Sequence, residues 1–320
     1  MAEYINIRGQ SIEVVASDPA NPTLGQIWYN STSNTLKGGG FQVAAWASGG
    51  NMGTARYAFG DAGTQTAALA FGGSAGTVYS ATEEYDGSSW SGGGNLSATK
   101  NSLGGCGTQT AGLAFGGNAI PGGATNVTEE YNGTSWSPGG NLGTTRYALS
   151  GCGIQTAALA FGGRPPGPGQ LTATEEYDGS TWTAGGSLGN ARQSLAGAGL
   201  QTAGLAVGGL DTAVSGLTEE YDGSAWTAGG SLNTARRNAA CAGIQTAALA
   251  FGGTPSPTGA TEEYDGSTWT TLSASLATAR DSLGGAGTNT LALAFGGSGP
   301  SAATEEYTGA GPVTKTITAS

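Results

Sequence analysis

Apolar residues in this chain come in short runs of alternating size rather than at helical spacing. In Ala68-Leu69-Ala70-Phe71 the two large side chains fall on one face of a strand and the two small ones on the other, because successive side chains of a strand point to opposite sides. The run ends in Gly72-Gly73, and similar runs end in glycine pairs at 116–117, 162–163, 208–209, 252–253 and 296–297. Two more markers keep the same phase. Thr-Glu-Glu-Tyr occurs six times, with tyrosines at 85, 131, 177, 221, 264 and 307, and a tryptophan follows each of the first five by five residues. With Trp46 upstream, the tryptophans Trp46, Trp90, Trp136, Trp182, Trp226 and Trp269 are spaced by 44, 46, 46, 44 and 43 residues. One basic residue per unit completes the set: Arg56, Lys100, Arg146, Arg192, Arg236 and Arg280. In the first unit the pattern predicts four strands: a over 54–63, b over 65–71, c over 81–85 and d around Trp90.

A sheet with one bulky and one small face stacks on copies of itself, bulky against small. Four-stranded units of this length point to an all-β fold, a six-bladed β-propeller of antiparallel blades. Composition changes this picture in one respect. Leu, Ile, Val and Phe make up only about 14% of the 320 residues, a level associated with disorder when net charge is high. Here 61 glycines and many alanines crowd strand a, as in Gly104-Gly-Cys-Gly107, where an innermost strand needs small side chains. The shortage of large residues is then a packing solution. Two segments compete for the fourth strand of the last blade: the Trp46 segment, which is favoured, and Val313–Thr318, which would otherwise be an outer or intersubunit strand.

An apolar strand ending in Gly-Gly, a Glu-x-Tyr-Asp-type strand, a tryptophan in the fourth strand and an arginine before the next repeat resemble the kelch family over residues 41–310. The resemblance implies a kelch-like propeller. WD40 repeats are of similar length, but their Gly-His marker cannot occur in a chain without histidine.

The missing histidine also removes Ser-His-Asp and Cys-His hydrolase chemistry and the usual transition-metal sites, including that of kelch-fold copper oxidases. No cofactor or metal is expected, and no catalytic residue. The paired glutamates would suit glycoside hydrolysis, yet they recur in every unit, whereas catalysis needs one asymmetric site. The twelve glutamates and four turn aspartates, offset by the six basic residues, account for −10 of the net charge of −11. One glutamate per unit, assigned as Glu84, Glu130, Glu176, Glu220, Glu263 and Glu306, is therefore expected to brace the basic residue of its own or a neighbouring blade. The six tryptophans are expected to pack between blades. Cys106 and Cys152 stand where other units place alanine, which marks small buried positions. Asp178-Gly-Ser-Thr-Trp182 is one residue too short for a sialidase Asp box. A pI near 4.3 argues against nucleic-acid binding, no apolar run spans a membrane, and the N-terminus has no signal-peptide pattern.

The loops between strands b and c vary most, at 8, 10, 10, 8, 7 and 6 residues, and all project from one face. Tyr79, Arg164, Gln170 and Asp211 are their most contact-capable side chains. Residues 1–40 do not repeat, and Gly25–Lys37 reads as a hairpin with Asn30–Asn34 as its loop. That hairpin and the Thr-rich ending resemble tailed-phage virion proteins such as fibres. The resemblance implies a non-enzymatic structural protein of the virion, made in the host cytoplasm. Residues 1–40 would attach it to other virion proteins, 41–310 would form the propeller and 311–320 a terminal strand. The propeller would bind a host-surface glycan or receptor, and the assembly would be a homo-oligomer, with a trimer favoured. The alternative is a cytosolic kelch-type protein-interaction scaffold, and a glycan-active enzyme comes third.

Overall fold

The structure, a computed structural model, describes residues 12–317. They form an all-β, propeller-like fold of repeated four-stranded antiparallel sheets, without a helix. In the first repeat, strand a is Gly60–Thr64, b is Ala67–Phe71, c is Thr82–Tyr85 and d is Trp90–Gly92, hydrogen-bonded in that order. Strand a is thus shorter than expected. Residues 54–59 form a loop instead, because Arg56 turns inward to full burial and Ala58 takes a left-handed φ of 52°, which no strand accommodates. Four further sheets repeat the arrangement, with a strands Gly104–Thr108, Ser150–Ile154, Ala196–Leu200 and Ala240–Ile244.

The sixth sheet combines Gly284–Gly287, Leu291–Phe295 and Thr304–Thr308 with Ala45–Ser48, which pairs Trp46 with Tyr307. The Trp46 segment is therefore its fourth strand. Gly311–Thr316 lies elsewhere, antiparallel to Thr35–Gln42.

The alternation of strand b sets how neighbouring sheets pack. Leu69 and Phe71 pack with Ala114 of the second sheet, while Ala68 and Ala70 pack with Leu293 and Phe295 of the sixth. Leu113 and Phe115 meet Ala158 and Ala160, Leu159 and Phe161 meet Ala206, and Leu205 and Val207 meet Ala248 and Ala250. Each fully buried Leu or Phe contributes about 1.5–3 kcal/mol, and the facing alanines leave room for it. The a strands approach closely enough to demand glycine. A Cβ on Gly105 would lie 2.5 Å from the Asp61 carbonyl oxygen, and one on Gly151 would lie 2.4 Å from the Phe115 ring.

Backbone hydrogen bonds link successive sheets in a cycle. Ser102 N–H donates to the Ala58 carbonyl, Ala148 to Ser102, Ser194 to Ala148, Asn238 to Ser194, Ser282 to Asn238, and Ala58 back to Ser282. All six residues have φ between 51° and 54°. A non-glycine residue pays about 1–2 kcal/mol for that conformation, which each linking bond helps to offset.

The described residues divide into two compact units. Ala45–Thr308 holds the repeats, and the chain up to Ala44 joins the chain from Gly309 onward in a smaller unit. The terminal strand thus belongs with the N-terminal hairpin, and the unit boundaries fall at 44/45 and 308/309. In the smaller unit, Ile27–Asn30 and Thr35–Gln42 form the expected hairpin, flanked by Glu13–Val15, parallel to Ile27–Asn30, and by Gly311–Thr316. Trp28 is fully buried, and its Nε1–H donates to Asp18 at 2.9 Å. Asn30 Nδ2 donates to the same carboxylate at 2.7 Å, and together these bonds lower its pKa. Of the expected attachment segment 1–40, residues 1–11 lie outside the described residues.

Candidate functional site

The recurring markers of the repeat are taken up by the scaffold. Each basic residue is buried and forms an ion pair with the first glutamate of its own repeat: Arg56–Glu83, Lys100–Glu129, Arg146–Glu175, Arg192–Glu219, Arg236–Glu262 and Arg280–Glu305. The expected assignment to the second glutamate is corrected by strand alternation, which turns the second glutamate to the opposite face of the sheet. There it accepts from the neighbouring sheet's tyrosine hydroxyl: Tyr131 donates to Glu84, Tyr177 to Glu130, Tyr221 to Glu176, Tyr264 to Glu220 and Tyr85 to Glu306. Burial, then donation to these carboxylates, pushes the hydroxyls up to about 12. Glu263 departs from the series and accepts from Asn289.

Burial lowers the Arg146 pKa to about 10, partly opposed by Glu175. Each arginine also reaches main-chain carbonyls, as Arg56 does at Gly72 (3.0 Å) and Ala81 (2.8 Å); Lys100 bonds only Glu129, at 2.6 Å.

The tryptophans lie between sheets. Nε1–H of Trp90, Trp136, Trp182, Trp226, Trp269 and Trp46 donates to Thr304, Thr82, Thr128, Thr174, Thr218 and Thr261 of the preceding sheet. The Trp136 ring meets Phe71 at 4.8 Å. The turn aspartates are also occupied: the Asp178 carboxylate accepts the Ser180 and Thr181 N–H groups and both hydroxyls, which lowers it to about 2. All three cysteines are buried thiols, and burial raises Cys152 and Cys241 to about 12.

The end of the sheets that carries the b–c loops is different. Immediately after the basic residue of each repeat stand Tyr57, Asn101, Tyr147, Gln193, Arg237 and Asp281, all half-buried. Their backbones pair with the residue following each Gly-Gly, as in Tyr57–Ser74, Asn101–Asn118, Tyr147–Arg164, Gln193–Leu210 and Arg237–Thr254. The next residues in sequence are the six that form the hydrogen-bonded cycle, and these line a cavity of about 120 Å3 together with Phe59, Leu103, Leu149, Leu195, Ala239 and Leu283. Among the described residues, Tyr57, Asn101, Tyr147, Gln193 and Arg237 make no side-chain hydrogen bond, and Arg237 Nε is buried without a partner. Asp281 is held by Ser282 and Ser298. These six positions escaped the sequence reading, although the signal is there: the column runs Tyr, Asn, Tyr, Gln, Arg, Asp directly after a nearly constant basic residue.

Of the expected loop contacts, Gln170 and Asp211 come together, with Gln170 Nε2 donating to the Asp211 carbonyl at 3.3 Å. Arg164 is joined through its backbone to Tyr147 of the same repeat. Tyr79 N–H donates to the Gly73 carbonyl in the first repeat, away from the other three. Arg164 and Arg237 are the two arginines of the repeat region outside the six ion pairs, and both belong to this end.

Deeper in, the a strands of the first five sheets, together with Leu283 just before the sixth, line a second cavity of about 120 Å3. It contains Asp61, whose carboxylate accepts the Gly285 N–H at 2.8 Å. Part of its surface opens onto the cavity, yet burial raises its pKa to about 7, an effect the Gly285 bond only partly offsets. The equivalent residues are Gly105, Gly151, Gly197, Cys241 and Gly285, so this carboxyl is particular to the first repeat.

No protein-family profile matches the chain, and no curated protein matches it.

Proposed function

We propose that the chain is a non-enzymatic binding protein of a phage virion, in which the six sheets are the blades of a six-bladed kelch-like propeller and the b–c end is its receptor-binding face. The cyclic hydrogen bonds from Ala58 through Ser282 and the bulky-against-small packing support the propeller count. One observation carries the function. Near-identical repeats place five kinds of side chain at a single position, tyrosine twice and asparagine, glutamine, arginine and aspartate once each, and all but the aspartate are free of side-chain partners among the described residues. Scaffolding alone has no use for that variety, whereas an asymmetric ligand does.

Tyrosine faces beside asparagine and glutamine amides suit a neutral or mildly anionic glycan, with ring stacking on Tyr57 or Tyr147 and hydroxyl recognition by Asn101 and Gln193. Arg164 and Arg237 would favour an acidic sugar.

The chain enters the repeat region at Ala45 and leaves it at Thr308, which are paired residues. The smaller unit exposes Val14, Leu24, Phe41 and Val43, apolar surface of the kind that protein contacts cover. Attachment to virion proteins and trimerisation are assigned to it.

A glycan array tests the reading. Binding to a defined set of host-surface glycans, lost in Tyr147→Ala and Arg237→Ala variants of unchanged stability, is the expected result; array signals that ignore both substitutions would refute it. Sedimentation of the full chain should give three times the 31.2 kDa chain mass. A stable monomer that captures a cytosolic protein would favour the scaffold reading instead.

A further inference from the structure

Five of the six junctions between sheets are closed by a glutamine from the turn between strands a and b. Gln109 Nε2 donates to the Ala68 and Tyr85 carbonyls of the preceding sheet at 3.1 and 2.6 Å. Gln155, Gln201, Gln245 and Gln65 do the same at their junctions. One nitrogen bridging two carbonyls is thus the standard occupant of this spot.

The junction between the fifth and sixth sheets lacks it. Asn289 replaces glutamine, is one methylene shorter, and its Nδ2 donates to Glu263 at 3.0 Å. No side chain reaches the equivalent carbonyls of Ala248 and Tyr264 among the described residues. The same junction lacks the tyrosine-to-glutamate bond, since Tyr307 makes no hydrogen bond to Glu263, although that carboxylate is close enough to raise its pKa. It also differs in strand d, where Trp269–Ser275 replaces the Gly-Gly-containing segment found in the other repeats. In place of the clasp there is a cleft of about 370 Å3 lined by Thr246, Ala247, Glu263, Tyr264, Asp265, Thr270 and Asn289. Its acceptors are the Glu263 carboxylate and the Tyr264 carbonyl, which with the Ala248 carbonyl lacks the donor found at the other junctions; the Asp265 carboxylate is taken up by Ser267 and Thr268 of its own turn.

We propose that this cleft binds a primary ammonium group, whose nitrogen takes the place of the missing glutamine nitrogen. A glutamine amide has two hydrogens for two carbonyls. An ammonium has three, enough for both carbonyls and the Glu263 carboxylate, and it carries the charge that this carboxylate calls for. A lysine side chain of a partner protein and a free alkylamine present the same group, and the probes separate the two sources.

The experiment is an NMR titration of the full chain with n-propylammonium, with N-acetyl-lysine methylamide, and with tetramethylammonium, which has the charge but no N–H. The expected result is saturable shifts confined to the amides of Thr246, Ala247, Thr270 and Asn289 for the first two probes, with none for the third. Tighter binding of the lysine derivative would point to a protein partner, and tighter binding of propylammonium to a free amine. Glu263→Gln should weaken binding at least tenfold. Asn289→Gln should abolish it while preserving the fold, because it rebuilds the clasp used at the other five junctions. Equal shifts with tetramethylammonium, no response to either donor probe, or binding that survives Asn289→Gln would overturn the proposal.

Discussion

At the scale of single residues, the buried ion pairs are where small changes have large effects. Removing one partner strands a charge in the interior, whereas removing both leaves a neutral gap. Arg192→Met should therefore cost about 3–5 kcal/mol in denaturant unfolding, and the double variant Arg192→Met/Glu219→Leu should recover most of that loss. Lys100 makes the ion pair without the carbonyl bonds of its arginine counterparts. Lys100→Arg should add two of them, to Gly116 and Val127 by analogy with Arg146, and stabilise by about 1–2 kcal/mol.

Asp61 gives a pH dependence of definite sign. Its folded pKa of about 7 lies above the ordinary value of 3.8, so the folded state holds the proton more tightly than the unfolded chain. Stability should fall as pH rises from about 4 to about 7 and level off above that. Asp61→Asn should flatten this slope and stabilise the protein at pH 8 by about 2–4 kcal/mol, as read from melting temperature against pH.

At the scale of elements, the turn between strands a and b does more than reverse the chain. Gln155→Ala would leave the Gly112 and Tyr131 carbonyls without their donor and should cost about 1–3 kcal/mol in denaturant unfolding. Strand b and its two faces were legible from alternation alone, because burial on both sides enforces it. Strand a was legible only in part. Residues 54–59 look extendable, but Arg56 must reach Glu83 and Ala58 must donate to Ser282, a residue more than two hundred positions away. The choice between the two glutamates of each pair was equally hidden. Both are carboxylates in one strand, and only the position of the neighbouring sheet decides which meets arginine and which meets tyrosine.

At the scale of the whole molecule, the sixth sheet takes its fourth strand from the beginning of the repeat region. A chain lacking residues 1–48 would expose the Thr304–Thr308 edge, and unpaired strand edges self-associate. It should sediment as aggregate or open oligomer, while the intact chain does not. The repeat period, the two-faced strands, the single basic residue of each repeat and the hairpin of the smaller unit were set by the sequence itself, since each depends on local alternation or on spacing within one repeat. The ring of unmatched side chains after each basic residue, the tyrosine-to-glutamate bonds, the open junction at Asn289 and the pairing of the terminal strand with the hairpin were decided by tertiary structure. Each of these depends on which residues distant in the chain become neighbours, and repeats that look alike to a local reading become distinct only when they are packed against one another.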